Sequence, residues 1–84
     1  MYYVYVLLSN AVGKIYVGFT HDLRKRFHDH NNSKEESYTK KFRPWKLVYY
    51  EAYLSENDAR NREQKLKYRG RAKAFLKQRL QDSL

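Results

Sequence analysis

The chain has 84 residues, with 18 Lys and Arg against 9 Asp and Glu, a formal charge of +9. So short a chain buries one core rather than two, and its positive excess points to a polyanionic partner, nucleic acid first. No cysteine is present, which excludes disulfide staples, zinc ribbons, thiol nucleophiles and iron–sulfur clusters.

There is neither a basic-then-apolar leader nor an apolar run near the roughly 20 residues of a bilayer span. The expectation is a cytoplasmic protein with a single domain over residues 1–84 and no membrane contact. A hydrophobic fraction of 42% supports a folded core, and nine tyrosines lend it apolar area while keeping hydroxyls for a site.

The first predicted element is a strand, Tyr2 to Leu8, a β-branched and aromatic run closed by the turn signal Ser9-Asn10. Gly13 sits in the turn, and a second strand, Lys14 to Phe19, completes a hairpin. Period two places Val4, Val6 and Leu8 on one face, expected to be the core. Tyr3, Tyr5 and Leu7 take the other face, so the hairpin sets Tyr5 beside Tyr16 if the register is as drawn.

A helix follows, capped by Thr20 or Asp22. Leu23, Arg26, Phe27 and His30 form one stripe, with Leu23 and Phe27 in the core and Arg26 and His30 at its edge. Arg24, Lys25 and His28 point outward, and Asn31 to Ser33 ends the helix. Lys34 to Pro44 reads as a loop, with Tyr38-Thr39 at its middle.

The third strand is Lys46 to Tyr53, with Trp45 at its start. Ser55 with Asp58 three positions on marks the start of a helix that runs to about Tyr68, with Gly70 beyond its end. A last helix, Arg71 to Gln81, carries Ala72, Phe75, Leu76 and Leu80 on one face. The fold class is therefore α+β: a small three-stranded antiparallel sheet flanked by three helices.

Charge concentrates late in the chain. Between Arg60 and Arg79 there are nine basic residues and one acid, Glu63. The segment reads as a phosphate-binding face, each cation releasing a counterion on contact. Arg62, Lys67, Arg69 and Arg71 are its candidates, with Lys14, Lys40, Lys41 and Arg43 from the hairpin and the loop. Glu63 is either an i,i+4 partner for Lys67 or a metal ligand placed where phosphates arrive.

The acids show no spacing that converges a carboxylate cluster, and there is no phosphate-cradling glycine loop. What remains is a pair of hairpin tyrosines, an arginine and a histidine one helical turn apart, and an isolated glutamate. Tyr3-Val4-Tyr5 and Tyr16-Val17-Gly18 resemble the paired motifs of the GIY-YIG nuclease superfamily. The match continues through YVGFTHDLRKRFHDHN (Tyr16 to Asn31), RPWKLVYYE (Arg43 to Glu51) and the RNREQKLK run around Glu63. It covers nearly the whole chain and is closest in kind to the small stand-alone bacterial members. Tyr3 stands where the name-giving motif has glycine, and Val4 and Val17 where it has isoleucine; no functional group is lost.

The resemblance implies a three-stranded antiparallel sheet flanked by helices, and one-metal cleavage of DNA. Carried over residue by residue, it makes Tyr5, Tyr16, Arg26, His30 and Glu63 the catalytic set, with Glu63 holding Mg²⁺, or Mn²⁺ in its place. Arg26 would face the phosphoryl oxygens with a forked cation. Tyr5 is the candidate base, its pKa expected to be lowered by the metal or nearby cations; Tyr16 or His30 could take that role or orient the water. The expected partner is DNA, branched or damaged, in the manner of a DNA-repair nuclease. RNA ranks behind it, and with no added DNA-binding domain in view, targeting can fall to a protein partner. The alternative is a non-catalytic nucleic-acid-binding module on the same scaffold.

Overall fold

A computed structural model describes residues 1–34 and 37–74. The elements are β1 (Tyr2–Ser9), β2 (Ile15–Thr20), α1 (Leu23–Asn32), α2 (Tyr38–Lys41), β3 (Trp45–Tyr53) and α3 (Glu56–Lys67). A 3-10 turn, Tyr68–Gly70, follows, and residues 71–74 are helical. The remainder of the expected last helix, with Phe75, Leu76 and Leu80, lies outside the described residues.

β1 is the central strand of an antiparallel sheet ordered β2-β1-β3. Its unbroken apolar run has a simple cause: both of its faces are covered. Val4 and Val6 meet Val17, Ala59, Leu66 and Ala72 on the α3 side. Tyr5 and Leu7 meet Trp45, Leu23 and Phe27 on the α1 side.

This corrects the single core face expected from alternation. Leu7, assigned to the second face, is fully buried, whereas Leu8 is only partly so. Full withdrawal of side chains such as Val4, Val6 and Leu7 stabilises the fold by roughly 1.5–3 kcal/mol each.

The β1–β2 register pairs Tyr5 with Gly18 and Leu7 with Tyr16. Tyr5 and Tyr16 therefore share a face as diagonal neighbours. The hairpin turn is closed by Ser9 N–H to the Lys14 carbonyl (2.8 Å) and Gly13 N–H to the Ser9 carbonyl (2.9 Å), with Gly13 at φ +72°. On the other side of β1 the register slips between Val6 and Leu7. Val6 faces Tyr49 and Leu7 faces Leu47, so Val48 is the extra residue of a bulge.

Local signals set the helix starts. The Asp22 side chain accepts from Lys25 N–H (3.2 Å) and caps α1; Thr20 turns the chain into it by accepting from Asp22 N–H (3.1 Å). Ser55 caps α3 by accepting from Asp58 N–H (3.2 Å). The expected loop before β3 holds one unforeseen element, α2, capped by Ser37. Its Thr39 carbonyl receives the indole N–H of buried Trp45 (2.6 Å).

Asn31, in the last turn of α1, grips Trp45 twice. Its Oδ1 accepts from Trp45 N–H (2.7 Å) and its Nδ2 donates to the Trp45 carbonyl (3.1 Å). The side-chain amide behaves as a short stretch of neighbouring backbone. α1 is thereby fixed to the start of β3.

Candidate active site

Tyr5 is the centre of the site. β1 carries it under α1, where it is 1% exposed, and its hydroxyl lies 2.6 Å from His30 Nε2. Gly18 makes room for it from the paired strand: a Cβ at Gly18 would fall 2.3 Å from both the Tyr5 Cζ and its hydroxyl oxygen. The glycine of the second motif thus has a local physical cause.

Burial pushes the Tyr5 phenol up to about 12, with Tyr16 and Glu63 adding to the rise. The Arg26 guanidinium beside Tyr5 pulls the other way, but is outweighed. The expected lowering is therefore not what the protein groups alone produce; desolvation dominates over the single nearby guanidinium. Burial likewise drives His30 down to about 4, helped by Arg26 and Arg43 and opposed by Asp29. His30 is a neutral imidazole at neutral pH. With its imidazole proton on Nδ1, His30 accepts the Tyr5 O–H at Nε2.

Tyr16 brings the second hydroxyl. Its ring lies 6.4 Å from that of Tyr5 and edge-on to His30 (5.0 Å) and Trp45 (6.2 Å). Arg26 lies beside both phenols. Burial alone would weaken its cation, but its attraction to Tyr5 and Tyr16 outweighs that effect and raises its pKa. Arg26 is exposed on its outer side, whereas His30 is 2% exposed and belongs to the interior, not to the edge of the stripe.

Glu63 comes from α3 and is close enough to act on Tyr5 electrostatically. Its carboxylate, 17% exposed, pairs with Lys67 Nζ at 3.1 Å. Of the two readings of Glu63 from the sequence, the geometry shows the i,i+4 pair with Lys67. A groove of about 380 Å³ runs past Tyr16, bounded by Tyr38, Leu66, Lys67 and Lys73. Tyr38, stacked on Tyr16 at 6.4 Å and half exposed, is a wall residue, and it lies on α2 rather than in the loop expected there. The Ser37 cap three residues before Lys40 was the available signal.

The basic candidates divide. Arg43 holds the end of α1: its Nε donates to the His30 carbonyl (2.6 Å) and its Nη2 to those of Ser33 (2.7 Å) and Asp29 (3.3 Å). Arg62 forms a forked pair with Glu51 (2.9 and 3.1 Å), which also accepts from the Tyr49 and Tyr53 hydroxyls. These two guanidinium groups join elements together. Lys14 lies over the Phe42 ring (5.1 Å), Arg71 over Tyr68 (5.7 Å), and Lys40 donates to the Lys34 carbonyl (3.1 Å). Lys41 and Lys67 are exposed. The Arg69 side chain lies outside the description, as do Lys77 and Arg79.

The donor set suits one kind of ion. Among the described residues no group of three or more His, Asp or Glu gathers as a metal cage. Glu63 offers a single hard oxygen ligand, which fits an ion that keeps most of its waters and takes phosphate oxygens, as Mg²⁺ does. Lys67 would have to yield to it.

The chain thus brings paired tyrosines on a hairpin, an arginine on the following helix and a glutamate on the helix after β3 into one α+β domain. The chain belongs to the GIY-YIG family: the model of the GIY-YIG catalytic domain matches residues 1–81. It is similar to UPF0213 proteins of Bacillus pumilus (39% identity over 89% of this chain and 76% of the relative) and Lacticaseibacillus paracasei (40%, 89% and 85%). A third, from Staphylococcus epidermidis, is 39% identical over 79% of each chain.

Proposed function

We propose that this chain is a DNA endonuclease that hydrolyses a phosphodiester with one divalent ion held by Glu63. The observation that carries the reading is the convergence on Tyr5, in β1, of Tyr16, Arg26, His30 and Glu63, drawn from three further elements, β2, α1 and α3. A pure binder needs no such convergence.

Arg26 orients the scissile phosphate and opposes the charge that builds on its oxygens. Tyr5 takes the proton of the attacking water as its own proton passes to His30 Nε2, so the phenol need not ionise beforehand. Arriving phosphates raise the proton affinity of His30 and favour that transfer. Tyr16 orients the water from beside Tyr5 and Arg26. Glu63 would hold Mg²⁺ or Mn²⁺, which supplies charge neutralisation at the phosphate and at the departing oxygen.

The substrate we assign is chromosomal DNA in the cytoplasm, nicked at branches or damage as in repair. Among the described residues no helix is long and apolar enough to cross a membrane.

The test is nicking of supercoiled DNA with Mg²⁺. Arg26→Ala and Glu63→Ala should each lose at least about a hundredfold in rate, and Glu63→Gln should lose turnover while keeping DNA affinity. Equal cleavage by all variants would overturn the site. The Glu63–Lys67 pair favours the second reading, a non-catalytic binder, which predicts no turnover in any of them.

A further inference from the structure

Beside Tyr5, between α1 and β3, the sheet is left open. A groove of about 460 Å³ lies there, lined by Tyr3, Leu23, Arg24, Phe27, Leu47 and Tyr50. Its volume falls within the range of small-ligand pockets, and nothing in the proposed hydrolysis uses it. Tyr3 and Tyr50 pack edge to face, centroids 6.2 Å apart and planes at 62°, and Tyr50 is 54% exposed. Its exposed face is open to a ligand entering the groove.

Three features say what would cover it. Tyr3, Phe27 and Tyr50 set three aromatic rings among the leucines of the walls, a lining that suits a planar ring. Arg24 at the rim and a net charge of +9 favour a ligand that carries phosphates. Asp22, the acid at the same rim, is engaged as the cap of α1 and so is turned toward Lys25 N–H. Position adds the last constraint: Tyr50 is the β3 residue paired with Tyr5, and α1 supplies both Arg26 to the site and Leu23 and Phe27 to the groove. A strand held at Tyr5 can place a neighbouring base in the groove only if that base is unpaired.

We propose that this groove is a nucleobase pocket that receives an unpaired base of the DNA strand held at the active site. It rests on the endonuclease reading and narrows it: the substrate carries a single-stranded flank. A stacked base contributes enough to affinity to be measured by one substitution.

The experiment is fluorescence anisotropy in EDTA, so that no turnover occurs. Labelled oligothymidine, an abasic oligonucleotide of equal length and phosphate count, oligouridine, and a blunt duplex are compared. The wild-type chain should bind oligothymidine about tenfold more tightly than the abasic strand. Tyr50→Ala should abolish that preference without weakening duplex binding, and Tyr50→Phe should restore it. Equal affinity of the wild type for the thymidine and abasic strands would overturn the pocket. So would an equal loss by Tyr50→Ala on every probe. Tighter binding of oligouridine than oligothymidine would overturn its assignment to DNA. Base preference surviving in Glu63→Gln alongside no cleavage by the wild type would sink the nuclease reading alone. Glu63-dependent cleavage without base preference would sink the pocket alone.

Discussion

His30 concentrates the physics of the site in one side chain. It is buried and neutral, with a pKa near 4 set first by desolvation. An unfolded histidine titrates near 6.5, so between about pH 6.5 and pH 4 the unfolded chain binds a proton that the folded chain does not. Acidification through that window therefore destabilises the fold, and below about pH 4 this contribution flattens. The expected slope is up to about 1.4 kcal/mol per pH unit. Urea unfolding across the window, compared with His30→Gln, should show the slope in the wild type and lose it in the variant. The sequence placed His30 on a helical stripe with Arg26. It could not show that α1 rotates His30 inward and leaves Arg26 exposed, because that depends on Tyr5 filling the space below.

At the scale of elements, the starts were the legible part. Asp22 and Ser55 cap the helices they were expected to cap, and Ser9 to Gly13 turns the hairpin. Each of these signals acts within a few residues of itself. The unforeseen features act over distance. The bulge at Val48 depends on which β1 residue it must pass, and α2 owes its place to Trp45 reaching the Thr39 carbonyl.

Arg43 is the sharpest case, expected at phosphates and found closing α1. Arg43→Ala should lower stability by about 2 kcal/mol, the order of a hydrogen-bonded charged group. Arg43→Lys should recover little, since one ammonium cannot serve three carbonyls in a fork. The salt dependence of DNA binding should stay unchanged in both. Urea unfolding and salt titration of binding together check this.

For the molecule as a whole, the charge divides between cations the fold uses, Arg43 and Arg62, and cations that stand exposed, such as Lys41 and Lys73. Binding to DNA should weaken linearly in log affinity against log salt. Lys41→Ala and Lys73→Ala, both at exposed positions, should each reduce the slope by about one unit while leaving the fold intact. The five candidate residues could be picked out from motif order. The pairing of Glu63 with Lys67, and the direction in which Tyr5 is shifted, required three dimensions.

The amide of Asn31 has one more effect. A sheet of three strands has two borders, and each invites an intruding chain to extend it. At Trp45 the main-chain donor is already occupied and the carbonyl already engaged. Another polypeptide zipping along β3 would find no grip at that end. A side chain that looks like a helix terminator doubles as a stopper against aggregation.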